Sequence, residues 1–423
     1  MNEHLLQFIW QFQYFNKQNL FTTHGDALKI VAPGTLNKQQ GPDFLEAKIK
    51  LPGALLIGNI EVHINASDWH KHGHTKDTHY NNVILHVVWQ ADIEISDGPS
   101  LPTLELRPLV HHSLLNRYKE LMEVRSFVPC ESHLPTLTAI SWNSWKERLA
   151  IERLQRKSAI VLEYLKQTGN HWEEVFWWMI ARNFGIKTNA ECFEQIARSI
   201  SINILAKHRN QIHVLEALLL GQARLLHNIS TEDKYVLMLQ REYNFLKKKY
   251  KLPELPQSPS FLRMRPSNFP TIRMAQLAML IHQSTHLFSK LKDTENAKDA
   301  LLLLNVQAND YWNNHYLLTE ISKENMPKKP GIQMVENILI NTAIPVLFAY
   351  GIYHNDQQYK DKALAWLFSL KMERNNITNL WKQFGITIEN ALDSQALIEL
   401  KSNYCDNKKC LDCAVGNKLL RNA

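Results

Sequence analysis

The feature that most constrains the fold is a change in the spacing of apolar residues near position 135. Before this position, short stretches alternate between apolar and polar residues, as in Leu45, Ala47, Ile49 and Leu51, which is the period of a half-buried β-strand. From about Ser141 onward, apolar residues recur at the three- and four-residue spacing of helices. The sequence therefore predicts an α+β protein, in which a mixed-sheet N-terminal domain precedes a mostly α-helical region.

Glycine, histidine and charge divide at the same place. Residues 1–135 hold 7 of the 14 glycines and 11 of the 19 histidines, and they carry 11 Lys and Arg against 14 Asp and Glu. The remaining residues carry 37 against 27, a net charge of +10. A chain of 423 residues is long enough for two or three domains. We predict a sheet domain at 1–135, a basic helical domain at 136–404 and a metal-binding cysteine tail at 405–416.

The first domain is predicted to contain one helix followed by strands. An amphipathic helix is expected at residues 3–15, and strands at 28–31, 45–51, 59–64 and 83–89. Pro52-Gly53 predicts a tight turn that makes the second and third of these strands a hairpin. A further hairpin, formed by residues 93–95 and 103–106, is expected around Gly98-Pro99.

Two carboxylates and one imidazole are expected to meet on that first hairpin. Asp43 begins one strand, while Glu61 and His63 lie two positions apart on the next and so share a face, opposite Ile60 and Val62. Such a group suits a divalent cation, which activates water and binds a phosphoryl oxygen. We therefore predict Asp43, Glu61 and His63 as catalytic residues, with Mg²⁺ or Mn²⁺ held by the two carboxylates.

This order of elements resembles the PD-(D/E)XK nuclease superfamily over roughly residues 1–110. Pro42-Asp43 matches the first part of the motif, and Glu61-Val62-His63 follows at an 18-residue offset. The resemblance implies a nuclease-like sheet and metal-dependent phosphodiester hydrolysis, with Glu3 as an additional acidic residue. His63 stands where the family has lysine, so Lys48 or Lys50 is a possible substitute.

A histidine-rich segment follows directly. Residues 68–79 contain four histidines and two aspartates, and imidazole is a common ligand for zinc, manganese and iron. We predict that Asp68 and His70 add metal ligands to the Glu61 site. The alternatives are a solvated polar loop, or a zinc- or iron-dependent hydrolase or oxygenase that acts on a small molecule through His70, His72, His74 and Asp77. His86, in an apolar strand, is interpreted as a buried core histidine.

Three cysteines near the end of the chain have the spacing of a metal or cluster site. Cys405 precedes Cys410 by five positions and Cys413 follows three later, a spacing compatible with zinc or with an iron–sulfur cluster. Cys130, after Val128-Pro129, is the first choice for a fourth ligand, whereas Cys192 fits a buried apolar position. The alternative is a set of unligated thiols.

Three arginines lie around aromatic and proline residues in and just after a proline-bearing connector at 252–270, which separates two helical blocks. Arg263, Arg265 and Arg273 are predicted to bind the backbone of DNA or RNA, because guanidinium groups bind phosphate in a bidentate manner. The alternative is pairing with carboxylates inside the fold. A protein that binds nucleic acid through a degenerate nuclease fold without cleaving it is the corresponding functional alternative.

Taken together, these motifs resemble an uncharacterised bacterial family known only as a domain of unknown function. The strings that carry the resemblance are Gly41-Pro42-Asp43-Phe44, Glu61-Val62-His63 with Ser67-Asp68-Trp69, Arg265-Pro266-x-Asn268-Phe269-Pro270, and the final cysteines. The apolar runs are shorter than a bilayer span and the N-terminus has no basic leader, so we expect a cytoplasmic protein that does not bind membranes.

Overall fold

A computed structural model of the chain describes residues 1–95, 101–134 and 137–421. The chain divides into two units, one formed by Met1–Thr138 with Lys401–Ala423 and the other by Ala139–Leu400. The sequence placed the end of the helical domain at residue 404 and treated 405–416 as a separate tail. In the structure these last residues group with the first unit, and the expected boundary residue Pro135 lies outside the described part of the chain.

The first unit contains a mixed sheet, which confirms the α+β class. Its strands are β1 (Leu20–Phe21), β2 (Ala27–Ala32), β3 (Thr35–Leu36), β4 (Phe44–Leu51), β5 (Ala54–Asn65), β6 (Val83–Gln90) and β7 (Thr103–Glu105). The order is β1-β2-β4-β5-β6-β7. Strand β3 lies outside this order and pairs with the beginning of β4, where Leu36 lies opposite Phe44. Pairs from β1 to β5 are antiparallel, whereas β5–β6 and β6–β7 are parallel.

The hairpin expected around Gly98-Pro99 is wrong in part. The strand at Thr103–Glu105 exists, but it runs parallel to β6, with Thr103 opposite His86. Residues 93–95 are not in a strand, and the turn residues lie outside the described residues. A parallel neighbour requires a crossover connection rather than a tight turn.

The β4–β5 hairpin forms as predicted, with a two-residue Pro52-Gly53 loop. Leu51 pairs with Ala54, and Gly53 adopts a φ of +80°, where a side chain would be strained. Farther along, Phe44 pairs with Ile60 but Ala47 pairs with Gly58, so β4 carries one extra residue. This β-bulge changes the direction of the strand next to Asp43, a common device beside functional sites.

The first unit also contains helices. Helix α1 (Glu3–Phe12) begins at Asn2, whose side chain accepts a hydrogen bond from the Leu5 amide at 2.8 Å. It ends earlier than the predicted residue 15 because Gln13 takes a left-handed conformation with a φ of 56°. The unit also contains α2 (Asp68–Lys71), α3 (His112–Glu123) and α18 (Ala414–Arg421).

The second unit is helical throughout its regular elements, as the sequence predicts. Its helices are α4 (Ala139–Gln167), α5 (Trp172–Phe184), α6 (Ile186–Ser199), α7 (Ile202–Lys207), α8 (Ile212–Gln222), α9 (Lys234–Tyr250), α10 (Pro270–Gln283), α11 (Leu287–Asp293), α12 (Ala297–Leu304), α13 (Ile332–Ile338), α14 (Ile344–Tyr353), α15 (Gln357–Ser369), α16 (Asn376–Gln383) and α17 (Ala391–Glu399). Helix α8 is apolar on nearly all sides and is buried from Val214 to Gln222, so it forms the centre of this core.

Helices α13 and α14 are joined by a π-helical turn at Leu339–Ala343 into one continuous rod. By length and composition, the segment Ile332–Tyr353 is able to cross a membrane, and 67% of its most apolar window is buried inside the protein. A buried core helix has the same composition, so this property alone does not distinguish the two.

The sequence predicts one helix over residues 273–291, but the structure has two. Ser284 is extended, and α11 starts again at Leu287. The carboxylate of Glu173, on α5, accepts hydrogen bonds from the backbone amides of Phe288 and Ser289 at 3.0 and 2.8 Å. A carboxylate from a distant helix therefore caps the new N-terminus, which local periodicity cannot reveal.

Candidate functional site

Asp43 and Glu61 hold each other in place through the backbone. The Asp43 amide donates to Glu61 Oε2 at 3.1 Å, and the amide of Val62, next to Glu61, donates to Asp43 Oδ2 at 3.1 Å. Gln7, on α1, donates to Asp43 Oδ1 at 2.9 Å. The bulge in β4 and the first helix thus direct both carboxyl groups to one point at the end of the hairpin.

Burial makes the ionised form of both carboxyl groups costly. Burial raises the pKa of Glu61 to about 8, and the nearby Asp43 carboxylate raises it as well. The pKa of Asp43 rises to about 6, mainly through burial, and Glu3 adds to the effect on both groups. Without a cation, these two carboxyl groups resist ionisation near neutral pH. A bound cation would favour their ionised, negatively charged form.

His63 lies beside this pair and is neutral. Its Nε2 is 3.5 Å from Glu61 Oε1, and its Nδ1 is 2.8 Å from Nε2 of His86 on β6. The pKa of both histidines is lowered to about 3, mainly by burial. His74 and His72 also lower the pKa of His63, and His63 and His74 also lower that of His86. The predicted core histidine His86 is fully buried, but it also orients His63, a role that the sequence did not indicate.

The histidine-rich segment folds back over this face. Helix α2 ends at Lys71, and Gly73, with a φ of +74°, turns the chain between His72 and His74. His72 Nδ1 lies 3.1 Å from His63 Nε2, and His74 Nε2 lies 3.5 Å from Glu61 Oε1. The face that the sequence predicts as polar is therefore also buried, with Glu61 only 6% and His63 only 1% exposed.

His63, His72 and His74 form a set whose donor atoms all lie within 4.8 Å of one another. His74 is 9% exposed, and its Nε2 is a buried nitrogen with no hydrogen-bond partner in the described structure. A buried polar atom without a partner is costly unless a ligand satisfies it. These residues fit a metal ion, and Glu61 Oε1 lies 3.5 Å from both His63 Nε2 and His74 Nε2.

The other predicted ligands of this region have different surroundings. The oxygens of Asp68 accept from the Asn65 amide at 3.0 Å and from Lys71 at 2.6 Å, which keeps them occupied. His70 is not part of the three-histidine set. Asp77 pairs with His79, whose Nδ1 is 2.7 Å away.

Neither lysine considered as a substitute lies in a buried position near the carboxylates. Lys48 and Lys50 are both exposed on β4. Neither side chain therefore supplies the positive charge that the lysine of the PD-(D/E)XK motif provides. His72 and His74 belong to the alternative small-molecule hypothesis, while Glu61 and His63 belong to the nuclease hypothesis, and the structure joins them in one site.

The cysteines form a second group within the first unit. Cys130, Cys405, Cys410 and Cys413 line one small cavity, and all four are free thiols. Gly416 permits the close packing here, since a Cβ at this position would lie 2.0 Å from the carbonyl oxygen of Cys410. Burial raises the pKa of the Cys130 and Cys410 thiols to about 12, and Cys413 raises both further.

Among the described residues, the sulfurs do not form a set of three within 4.8 Å, unlike the histidine nitrogens. A tetrahedral zinc site with Zn–S bonds of about 2.3 Å brings its sulfurs to roughly 3.8 Å from each other. No three of the four sulfurs are therefore as close together as a single zinc ion would hold them. Cys192 lies apart in the second unit, on α6 and 8% exposed, as expected for a buried apolar residue.

The three predicted nucleic-acid-binding arginines have different environments. Arg263 and Arg265 are exposed, and Arg263 has a φ of 57°. Arg273 is 5% exposed, within α10. Its guanidinium donates to Gln276 Oε1 at 2.8 Å and to Asn268 Oδ1 at 2.5 Å, and neither partner is a carboxylate.

The chain belongs to the family described as protein of unknown function (DUF2851), whose model matches residues 3–376. This match agrees with the resemblance to a domain of unknown function that the motifs indicated. Among curated proteins and solved structures, none matches the chain.

Proposed function

We propose that the first unit of this family member is a metal-dependent hydrolase that cleaves phosphodiester bonds in nucleic acid. The observation that carries the proposal is the convergence of Asp43 and Glu61 with three imidazoles, where His74 Nε2 is buried without a hydrogen-bond partner 3.5 Å from Glu61 Oε1. A single divalent cation would balance the carboxylate charge and would also give His74 Nε2 the partner that it lacks.

The donor atoms favour a transition metal. Glu61, His63, His72 and His74 would hold the ion, and Asp43 offers a further oxygen. Imidazole nitrogens suit manganese, zinc and iron, whereas Mg²⁺ prefers oxygen ligands. Such an ion lowers the pKa of a water molecule and neutralises charge on a phosphoryl oxygen. We therefore propose Mn²⁺ or Zn²⁺ in preference to Mg²⁺.

His63 acts in this proposal as a ligand rather than as a replacement for lysine. Burial lowers its pKa to about 3, so it is neutral and cannot provide the positive charge of the missing lysine. Its Nδ1 is held by His86, which directs Nε2 toward Glu61. The protein thus positions neutral nitrogen donors, and the cation must supply the positive charge.

The nucleic-acid substrate is supported by the arrangement of the elements. Strand β6 lies parallel to β5. Along the chain come helix α1, strand β2, strand β4 directly after Asp43, the Glu61 strand β5, helix α2 and strand β6, with the two-residue strands β1 and β3 in between. This is the order that resembles the PD-(D/E)XK nucleases. The net charge of the whole chain, +7, is favourable for a polyanionic substrate, but residues 1–135 carry 11 Lys and Arg against 14 Asp and Glu, so the positive excess lies in the rest of the chain.

The second candidate is a hydrolase or oxygenase that acts on a small molecule at the same metal. It is favoured by the partial enclosure of the site: Trp69 is buried beside His74 and the ring of Tyr80 stacks on His74 at 3.8 Å, while His72 is exposed. An enclosed centre admits small substrates more readily than a duplex. Binding of nucleic acid without cleavage remains the third possibility.

The test combines metal analysis with a cleavage assay. Protein purified without added metal is expected to contain about one equivalent of Mn, Zn or Fe that is lost in His72→Ala and retained in Cys410→Ser. His79→Ala serves as the matched control, since His79 is exposed and pairs with Asp77 instead. Labelled single- and double-stranded DNA and RNA, incubated with Mn²⁺, Zn²⁺ or Mg²⁺, are expected to be cut by wild type and not by Glu61→Gln.

Three results would contradict the proposal in different ways. Absence of metal in wild type, together with no thermal stabilisation by added Mn²⁺ or Zn²⁺, would remove the metal centre itself. Stoichiometric metal that depends on His72, with no cleavage of any nucleic acid, would leave the centre and favour the small-molecule candidate. Cleavage that persists in Glu61→Gln at the wild-type rate would indicate a contaminant or another site.

A further inference from the structure

The helical unit contains a cavity of about 680 Å³ between α4, α5, α6, α10 and the rod of α13 and α14. Its volume is typical of a site for a small ligand. Four cationic side chains line it, namely Lys157, Arg182, Lys187 and Arg273. Among the described residues that line the cavity, none is aspartate or glutamate.

Arg273 is the strongest indication of a ligand. Only 5% of this residue is exposed, and its Nε is buried with no hydrogen-bond partner in the described structure. Its two hydrogen-bond acceptors, on Gln276 and Asn268, are neutral. Burying an unbalanced charge is costly, so a guanidinium in this state is expected to meet an anion from outside the chain.

The Arg265-Pro266-x-Asn268-Phe269-Pro270 string explains how this group is placed. Pro266–Asn268 form one 3₁₀ turn, and α10 begins at Pro270, which leaves Asn268 facing the first turn of that helix. The connector before it is held by Asn189, whose side chain exchanges hydrogen bonds with the backbone of Ser260 at 2.8 and 2.9 Å. Asn268 therefore belongs to a fixed wall of the cavity, and it orients the guanidinium.

The other cations differ in how far the protein neutralises them. Arg182 pairs with Glu194 at 2.7 Å. The Lys157 amine donates to Asn341 Oδ1 at 2.6 Å, and burial lowers its pKa to about 7, with Arg153 lowering it further. Lys187 is exposed at the cavity. An anion in the cavity would restore the favourable environment of the charged Lys157.

The remaining lining combines amides with apolar walls. Four asparagine side chains, Asn183, Asn268, Asn337 and Asn341, present donors and acceptors. Ile160, Met179, Ile186 and Met334 provide apolar surface. Guanidinium and amine groups recognise phosphate, amides recognise the edge of a nucleobase, and apolar walls accept its faces.

We propose that this cavity binds a nucleoside phosphate, with the phosphate on Arg273 and Lys187 and the base among the asparagine and apolar side chains. The ligand is either a free nucleotide or the phosphorylated end of a strand, which share this chemistry. The site lies wholly within Ala139–Leu400 and does not depend on the metal centre of the first unit.

The test is isothermal titration of the full-length protein with AMP, GMP, CMP and UMP, each compared with its nucleoside and with inorganic phosphate. At least one nucleotide is expected to bind about 10-fold or more tightly than its nucleoside. Arg273→Met, which removes a buried unpaired charge at similar length, is expected to weaken binding by about 10-fold or more, as for a charged hydrogen bond. Lys187→Ala is expected to weaken it by about 3- to 10-fold.

Lys298→Ala is the matched control, because Lys298 is exposed on α12 and does not line the cavity. A 5′-phosphorylated oligonucleotide and its unphosphorylated form distinguish the two ligand sources, since tight binding of only the phosphorylated strand assigns the site to strand ends. The proposal is overturned if neither nucleotides nor phosphorylated strands bind at millimolar concentration. It is equally overturned if nucleosides bind as well as nucleotides, or if both Arg273→Met and Lys187→Ala bind like wild type.

Discussion

Replacing Glu61 with glutamine is expected to stabilise the metal-free protein while removing its metal response. Glu61 is 6% exposed, and its pKa is raised to about 8, first by burial and then by Asp43. Since the folded pKa lies above that of the unfolded chain, stability falls as pH rises from about 4.5 to about 8. At pH 7 the penalty is about 3 kcal/mol, from roughly 2.5 pH units at 1.36 kcal/mol each.

Hydrogen exchange in the presence of EDTA measures this effect locally. Amides of β4 and β5 are expected to exchange on the order of 100-fold more slowly in Glu61→Gln than in wild type at pH 7. The difference should shrink to a few tenths of a kcal/mol near pH 4.5, where Glu61 is protonated in the folded state and about half protonated in the unfolded state. Glu46→Gln is the control, because Glu46 is exposed on the neighbouring strand β4.

Added Mn²⁺ or Zn²⁺ should reverse the order. Wild type gains protection because the cation binds the ionised Glu61, while the glutamine variant gains little. The reasoning would be refuted if Glu61→Gln exchanged faster than wild type in EDTA, or if the difference did not depend on pH. Either result would mean that the two carboxyl groups are not forced together at a cost to the fold.

Two further outcomes are expected. Protein purified without oxygen should contain iron and acid-labile sulfide that are lost in Cys410→Ser and kept in Cys192→Ser. The four cysteines other than Cys192 line one cavity, and no three of their sulfurs lie as close together as a single zinc ion would hold them. Zinc without sulfide would contradict this prediction. Glu216, fully buried and hydrogen-bonded to Tyr235, Asn309 and Trp312, has a pKa raised by burial to about 7. As pH rises from 4.5 to 7, the free energy of unfolding of Glu216→Gln should therefore increase by about 3 kcal/mol relative to wild type, as measured by urea unfolding. The exposed Glu320→Gln is the control. A difference that does not depend on pH would be inconsistent with this prediction.

Much of the fold was accessible from the sequence because its causes are local. The alternation at Leu45–Leu51 and the turn residues Pro52-Gly53 predicted the β4–β5 hairpin, and the structure contains it. Glu61 and His63 share a face because side chains in a strand alternate with a period of two. Helical spacing likewise identified α4, α8 and α15.

What the sequence missed depends on contacts between distant segments. The register of β6 beside β5, which places His86 opposite Glu61, is set by packing across a parallel pair, so the orienting role of His86 could not be predicted. The histidine-rich segment was recognised as a source of ligands. The choice of His72 and His74 over His70 follows from the turn at Gly73 and from the burial of Trp69.

By itself, therefore, the sequence determined which residues are candidates for chemistry and which local elements hold them, because period, turn residues and charge are properties of neighbouring positions. The tertiary structure alone decided that the interrupted helix 273–291 restarts on the Glu173 carboxylate, that the last cysteines return to the first unit, and that Arg273 lies buried without a counter-charge. Each of these results from segments far apart in the chain that exclude water from one another, which raises the cost of every unpaired polar group.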